Sequence, residues 1–547
     1  MTNRTYKTGV CREQLSLLPP RIEDYVRRDN PVRAIEAYVC ALDLEKLGFR
    51  HAGGGGGAGQ PSYHPADLLR LYLYGYLNRV RSSRRLEQEA QRNLELMWLL
   101  TGLTPGYRTI ANFRKDNWAA LKAANREFVL LARELALLGG ELVAIDGAFF
   151  HGDASKGSIK THKRLSEQLA AIERDIEAYG RAVEASDAAE DALSPGGEDC
   201  GGGGGDDAGG IADKVAALMA KRAQAMADLA RLEESGETQL SHTDADARLL
   251  SKRGQTVAGY NVQIAVDDKH KLIVASEVVN DGNDTGQLYA MAKAAKEALG
   301  AETLQALADS GYYNGAQLKD CEENGIVAYV AQAKRTGRLE AQGRFSHEQF
   351  AYVADADAYR CPAGQLLTPT KSLKTNTGGR REIRYVSRKP VCDACPLRGR
   401  CVETKAKTRT ICRWVHEDVV ERHQARMKDA DALMRRRGCL VEHPFGTLKC
   451  RAGYRHFLVR GFDKVRGEWS LMALCYNFGR LLSILGFDRF TAYLARRLAA
   501  PAILRVLRAV ASAMGRARAF VARIWVGSSK NNELERNPVR LIRPSSG

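Results

Sequence analysis

No uninterrupted apolar run in this chain reaches the roughly 18–20 residues that a bilayer-spanning helix requires. The opening stretch, MTNRTYKTGVCREQLSLLPP, also lacks the apolar core of a secretory signal. The expectation is a cytosolic protein with no membrane-spanning part. Cysteine is present but thinly spread: Cys11, Cys40, Cys200, Cys321, Cys439, Cys450 and Cys475 form no pattern. In a reducing compartment they read as small core residues or free thiols, which argues against a disulfide framework. Acid is short as well. Sixty-five Asp and Glu face 82 Lys and Arg, a formal charge of +17, which points to a polyanionic partner, nucleic acid before anionic membrane. What is plentiful suits a globular chain. Hydrophobic residues make up 44% and charged ones 27% of 547 residues, enough for two to four domains with a real core.

The first fifty residues carry short helical patterns and run into the Gly-rich stretch His51–Gln60, which reads as a linker. From Ser62 the pattern is helical. HPADLLRLYLYGYLNRV puts Pro65 near a helix start with a dense Leu/Tyr face, and RSSRRLEQEAQRNLELMWLL and PGYRTIANFRKDNWAALKAANREFVLLARELALL follow. Arg84, Arg85 and Arg114 belong to a set of basic residues around its turns. Such a bundle fits a helix-turn-helix-like DNA reader, or equally a bundle with a solvated basic face. At Glu141 a β-branched run begins, ELVAIDGAFFHGD. Leu165, Leu169, Ile172, Ile176 and Tyr179 then step by 4-3-4-3, a heptad seam that resumes at Ile211, Val215, Leu218, Ala225, Leu229 and Leu232. The Gly/Asp/Glu-rich insert Leu193–Gly210 between them reads as disordered, so the whole is an antiparallel helical arm. AGYNVQIAVDD and KLIVASEVV form a hairpin about Asp268–His270. A helix from Asp284, the strand LQALADSGYYN, a short helix and the strand IVAYVAQ complete one mixed α/β sheet. A basic, loop-rich insertion follows, then the helix ERHQARMKDADALMRRRGCLVEHPFGTLK and a final amphipathic one. The arginine-rich tail reads as an appendage, with a basic surface helix as the alternative.

Two of these strands end alike, LVAIDG at Asp146 and LQALADSG at Asp309, each placing a carboxylate where an apolar strand gives way to a Gly turn. Glu442 sits on a later helix behind Arg435, Arg436 and Arg437. Three carboxylates converging from separate elements make a hard oxygen cage suited to Mg²⁺ or Mn²⁺, and two such ions would assist an in-line displacement at phosphorus. Taken singly, each residue reads as a turn former or a surface charge.

The segments IDG at Asp146, ADSGYYN at Asp309 and VEHPFGTLK at Glu442 together resemble the DDE transposases of bacterial insertion sequences. YGYLNRVRSSRRLE, TIANFR, TDADARLLSKRG, GYNVQIAVD and NDTGQL add to the resemblance, which spans most of residues 15–485. The resemblance implies an RNase H-like mixed-sheet core, an all-α N-terminal domain, an inserted helical hairpin and a cysteine-containing insertion. The corresponding division is a helical DNA-binding domain at 1–139, a catalytic domain at 140–486 with an arm at 155–254 and a Cys-rich insertion at 333–414, and a basic tail at 487–547. It implies that Asp146, Asp309 and Glu442 bind catalytic Mg²⁺ or Mn²⁺ and that Lys449 contacts DNA near the cut end. Gly438 stands where the related signature has an arginine, with Arg437 beside it as a stand-in; the expected upstream tyrosine is absent, with Met434 nearest. Asp244, Asp246 and Arg248 read either as support for substrate DNA or as a turn and cap.

In the insertion, CPAGQLL at Cys361 and CDACPLRGRC at Cys392, Cys395 and Cys401 offer four thiolates for a structural zinc, with free thiols as the alternative and Cys412 or His416 as substitute ligands. Relatives of this kind carry the same cysteines, and a metal would help a segment with so little apolar content to fold.

The expected function is a transposase that binds the terminal inverted repeats of its element, cuts the double-stranded DNA and joins the 3′ ends to target DNA. A homodimer or larger synaptic assembly, working in the bacterial cytoplasm on nucleoid DNA, goes with it. A DNA-binding protein without catalysis is the alternative, and a nuclease without end preference a third.

Overall fold

The computed structural model describes residues 21–53, 61–192, 205–252, 254–332, 342–376, 379–402 and 406–499. The expected linker beyond Gly53, the centre of the acidic insert and the tail beyond Ala499 lie outside them. The described residues divide into two units, one running up to Ile110 and resuming at Leu481, the other Ala111–Arg480. The Trp118–Glu134 helix belongs to the second unit, where Phe128 packs on Phe478, so the unit boundary falls before residue 139.

The first unit is helical: Ile22–Tyr25, Pro31–Cys40, Pro65–Leu77, Ser83–Arg92 and Leu94–Leu99. Pro31 and Pro65 each occupy a first helical turn, where a missing N–H costs nothing, and Asn30 and His64 cap the two starts. The Leu/Tyr face read from the sequence is the core: Leu69, Leu71, Tyr72 and Leu73 are fully buried, and the Tyr72 hydroxyl donates to the Ile110 carbonyl at 2.6 Å.

The second unit is built on a mixed sheet. Its strands are β1 (Leu142–His151), β4 (Arg248–Lys252), β5 (Gln255–Asp267), β6 (Ile273–Val279), β7 (Leu304–Ala308) and β8 (Ile326–Val330), in the order β4-β5-β1-β7-β8 with β6 also on β5. β5 runs antiparallel to β1, β6 runs antiparallel to β5, and β7 and β8 run parallel to β1. The parallel half follows from the helices Leu288–Leu299 and Gly315–Glu323, which return the chain to the same edge. Leu142–Ile145 is a continuous buried run because helices Leu288–Leu299 and Asp431–Phe445 both pack on β1. At Gly259 a side chain would collide with the Phe150 carbonyl, so glycine permits the closest approach of β5 to β1. Phe150 is enclosed by Phe445, Phe457 and Trp469 at centroid distances of 5.4–6.3 Å. This is the mixed α/β sheet with packed helices that the strand order predicts, with β4 added.

The arm forms as the heptads indicate. Helices His162–Ala192 and Gly205–Ser235 lie antiparallel, with Arg222 bonded to Glu173 at 3.4 Å and His162 facing Glu233 at 3.7 Å. Leu165, Ala225 and Leu232 are buried between them, and β2 (Ile159–Thr161) pairs with β3 (Gln239–Ser241) at the base. Residues 205–210, expected to be disordered, are helical: the second helix starts inside the Gly/Asp run. The Cys-rich insertion is not loop-rich. It holds an antiparallel sheet of β9 (Ala351–Val353), β10 (Ala358–Arg360), β11 (Leu366–Thr375), β12 (Arg381–Val386) and β13 (Thr410–Trp414) around Phe345, Phe350, Tyr359, Leu367, Tyr385 and Ile411. Among the described residues no single helix is long and apolar enough to cross a membrane.

Candidate active site

β1 and β7 are adjacent parallel strands in the register Leu142↔Gln305, Val143↔Ala306, Ala144↔Leu307. Continued by two residues, that register sets Asp146 level with Asp309. Neighbouring strands lie about 4.8 Å apart, so the two carboxylates belong to one site by backbone geometry alone. Asp309 caps the turn Ser310–Tyr312, accepting from the Gly311 N–H at 2.9 Å, and Asp146 accepts from the Gly147 N–H at 3.0 Å.

The surroundings of Asp146 are dry and charged. Burial is the main reason its carboxyl is pushed up to about 6; the charge of Asp309 adds to this, while Arg437 and Lys252 oppose it. Tyr312, fully buried against the pair, is held well above the usual phenol range by burial first and then by Asp284, Asp146 and Asp309. Arg437 Nη1 is buried with no hydrogen-bond partner. A half-buried carboxylate pair beside a buried unpaired guanidinium N–H is an unfinished electrostatic arrangement. It favours a bound species that offers cations to the aspartates and anionic oxygens to the arginine.

The other site residues read from the sequence are placed as follows. Glu442 lies on the Asp431–Phe445 helix and is exposed; a Cβ at Gly438 would stand 3.7 Å from its Oε1. Among the described residues no group of three or more His, Cys, Asp and Glu side chains is arranged to hold a metal ion. The aspartate pair therefore fits a divalent cation in charge and register, while the Glu442 carboxylate stands outside it. Gly446–Arg451 winds as a wider π-helical turn, which moves Lys449 off the helix face that bears Glu442. Lys449 Nζ donates to the Phe149 carbonyl at 2.7 Å and lies 4.4 Å from the Phe150 ring centre; burial pushes it down to about 8, against the opposing charge of Asp146. Arg436 pairs with Asp268. Arg114 is 5% exposed and pairs with Glu468 at 3.4 Å, so its guanidinium lies in the interior and not on a DNA-facing surface. Arg84 and Arg85 are exposed, Arg84 lying 5.4 Å over the Tyr107 ring. Asp244 is buried and accepts from the Tyr260 hydroxyl at 2.7 Å and the Gly461 N–H at 3.0 Å, while Asp246 accepts from the Phe462 N–H. Both serve as caps, as the turn reading has it.

Sequence reasoning passed over Lys252 and Asp284. Lys252 ends β4 and donates to Asp284 at 3.1 Å, and a Cβ at Gly311 would lie 3.0 Å from Asp309 Oδ1 and 3.6 Å from Asp284 Oδ2. Their only signal was a charged pair within SKRG and NDTGQL, segments otherwise noted as motifs.

Apart from this site, Cys361, Cys392, Cys395 and Cys401 line one small cavity with Phe345, Leu367 and Arg409. Cys361 opens a tight turn that closes from the Gly364 N–H to its carbonyl at 2.8 Å, with Gly364 at φ 80°, and Cys392 and Cys395 share another. All four are free, and burial raises the Cys401 thiol, with Arg409 opposing and the other three cysteines adding to the rise. Cys412 is exposed and lies outside this group, and His416 stacks edge-on against Trp414.

Comparison with known proteins gives two family matches. Residues 20–116 match the Transposase domain (DUF772) and residues 360–482 the Transposase DDE domain, the latter segment holding the four cysteines, Arg437, Glu442 and Lys449. No curated protein matches the chain. A solved structure, the piggyBac transposase synaptic complex with hairpin DNA, is similar at 9% identity and a TM-score of 0.28 over 86% of this chain and 79% of that one. A DDE domain implies use of a divalent metal. With a transposase domain matched before the sheet and a transposase DDE domain matched after it, the chain is similar over those two segments to the DDE transposases of insertion elements.

Proposed function

We propose that this protein binds the terminal inverted repeats of its own element, cuts the DNA there and joins the freed 3′ ends to target DNA. The observation that carries this reading is the level placement of Asp146 and Asp309 on adjacent parallel strands, beside Arg437 and Lys252. In this reading the sheet is the RNase H-like core, and three antiparallel strands continued by two parallel ones are compatible with it. Asp146 and Asp309 would hold Mg²⁺ or Mn²⁺, with Glu442 completing the set from its helix. The ions would polarise the scissile phosphate, activate the attacking water or hydroxyl and stabilise the leaving oxygen. The chain's own part is to keep the aspartates level and largely dry, so that their charge is compensated only when cation and phosphate are both in place. Arg437, with a buried N–H to spare, meets a phosphate oxygen, and Lys449 holds the β1 backbone beneath the pair.

The helical unit that runs up to Ile110, with Arg84 and Arg85 exposed, acts as the end-reading domain, and two DNA ends held together call for a dimer or larger assembly. The protein works in the bacterial cytoplasm on nucleoid DNA. The test is a nicking and joining assay in Mg²⁺ on DNA carrying the inverted repeats that flank the gene. End-dependent nicks and joined products support the reading. Binding without cleavage supports a DNA-binding protein instead, and cleavage without end preference a plain nuclease.

Cys361, Cys392, Cys395 and Cys401, which line one cavity, would be the thiolates that hold a structural zinc in the insertion. Protein purified without chelator should contain about one zinc per chain by elemental analysis. Cys392→Ser with Cys395→Ser should abolish it, and metal-free native protein would contradict the assignment.

A further inference from the structure

Asp284 is 4% exposed, and its carboxylate is held from three sides. Asn261 Nδ2 and Gln263 Nε2 donate to Oδ1 at 2.8 and 2.7 Å, and Lys252 Nζ donates to Oδ2 at 3.1 Å. The two amides stand two residues apart on β5 and so share one face, and the Tyr312 hydroxyl closes the network by donating to Gln263 Oε1. Gly147, next to Asp146, leaves room for all of this: a side chain there would collide with the Gln263 amide and reach 2.7 Å from Asp284 Oδ1. Oδ1 is filled by the two amides, and Oδ2 is engaged by Lys252. Lys252 differs. Its side chain is 38% exposed, and an ammonium has three donors, of which Asp284 takes one.

We infer that Lys252 is a further DNA-contacting cation of the candidate active site, and that Asp284 is the positioning residue that holds it beside Asp146 and Asp309. A lysine loses up to about 2 kcal/mol of side-chain entropy when it is fixed in one place. The buried Asp284 carboxylate supplies the compensation, so the ammonium is already in position when DNA arrives. Two donors remain on an ammonium fixed to Asp284, whose Oδ2 lies on the same side of Gly311 as Asp309 Oδ1, and the charge of Lys252 is felt at both Asp146 and Lys449. The anion that fits there is a phosphate of the strand being cut. Arg437 reaches the same pair from the helix, so the phosphate is gripped from two elements.

The inference rests on the transposase reading, and its test separates the two. Lys252→Ala, Lys252→Arg, Asp284→Asn and the Lys252→Ala/Asp284→Asn double variant are assayed with wild type on end-containing DNA in Mg²⁺. Lys252→Ala should slow cleavage on the order of a hundredfold while end affinity at low salt changes by less than about threefold. Lys252→Arg, which keeps the charge, should recover most of the rate. Asp284→Asn should reproduce the Lys252→Ala defect, and the double variant should be no slower than either single one, because both changes remove the same contact. Lys252 is partly exposed, so its variants carry the test even if Asp284→Asn folds poorly. Wild-type cleavage by Lys252→Ala overturns the inference and leaves the transposase reading standing. Losses that multiply in the double variant overturn the role of Asp284. A wild type that cuts no DNA overturns the transposase reading and this inference with it.

Discussion

Asp309→Asn is expected to reduce Mg²⁺-dependent cleavage of end-containing DNA by at least on the order of a thousandfold, with end binding in a gel shift kept within about twofold. The substitution is isosteric, and the side-chain oxygen of Asn still accepts from the Gly311 N–H, so the Ser310–Tyr312 turn is preserved. What disappears is one of two negative charges set level by the β1–β7 register. A cation held between two carboxylates loses roughly half of its attraction, and the chemistry depends on that attraction. DNA binding should hardly change, because Arg84 and Arg85 lie on a different unit and Arg437 and Lys252 keep their charges. Asp146→Asn should behave alike in this assay. Cleavage by either variant at the wild-type rate would remove the pair from the mechanism.

The second expectation separates Asp146 from an ordinary structural aspartate. Its carboxyl titrates at about 6 in the fold against 3.8 for a free side chain, mainly because it is buried. Between these values the folded chain holds a proton that the unfolded chain has lost, so stability falls as pH rises from about 4 to about 6 and stays lower above. Asp146→Asn removes that penalty. In the absence of divalent metal the variant should be more stable than wild type at pH 7.5, by about 2 kcal/mol as an order of magnitude, with the gap closing near pH 4. Added Mg²⁺ or Mn²⁺ should stabilise wild type and do little for the variant. Paired melts at the two pH values, with chelator and with metal, measure all of this. A variant less stable than wild type at pH 7.5 would mean that Asp146 serves the fold.

Asp146 and Asp309 were legible because each ends an apolar strand at a Gly turn, a local pattern. Their level placement was not, because register between β1 and β7 depends on a partner 163 residues away and on the three helices between them. The arm's seam could be read from Leu165 to Leu232 because heptads are local, but the helical start at Gly205 contradicts the glycine propensity of its own first residues. The small sheet of the insertion escaped notice because β11 exposes most of its residues on both faces and carries no alternation. Glu442 and Lys449 lie seven apart, which on a regular helix gives one face; the π-helical turn between them is what sequence spacing could not show. Lys252 and Asp284 are single charged residues in segments whose meaning is wholly tertiary.

The central claim is that Asp146 and Asp309 form one cation site, and Mn²⁺ binding measured by paramagnetic resonance on the DNA-free protein tests it most directly. The account predicts saturable Mn²⁺ binding by wild type, competed by Mg²⁺, that is lost in the Asp146→Asn/Asp309→Asn double variant. Undiminished Mn²⁺ binding by the double variant would contradict it.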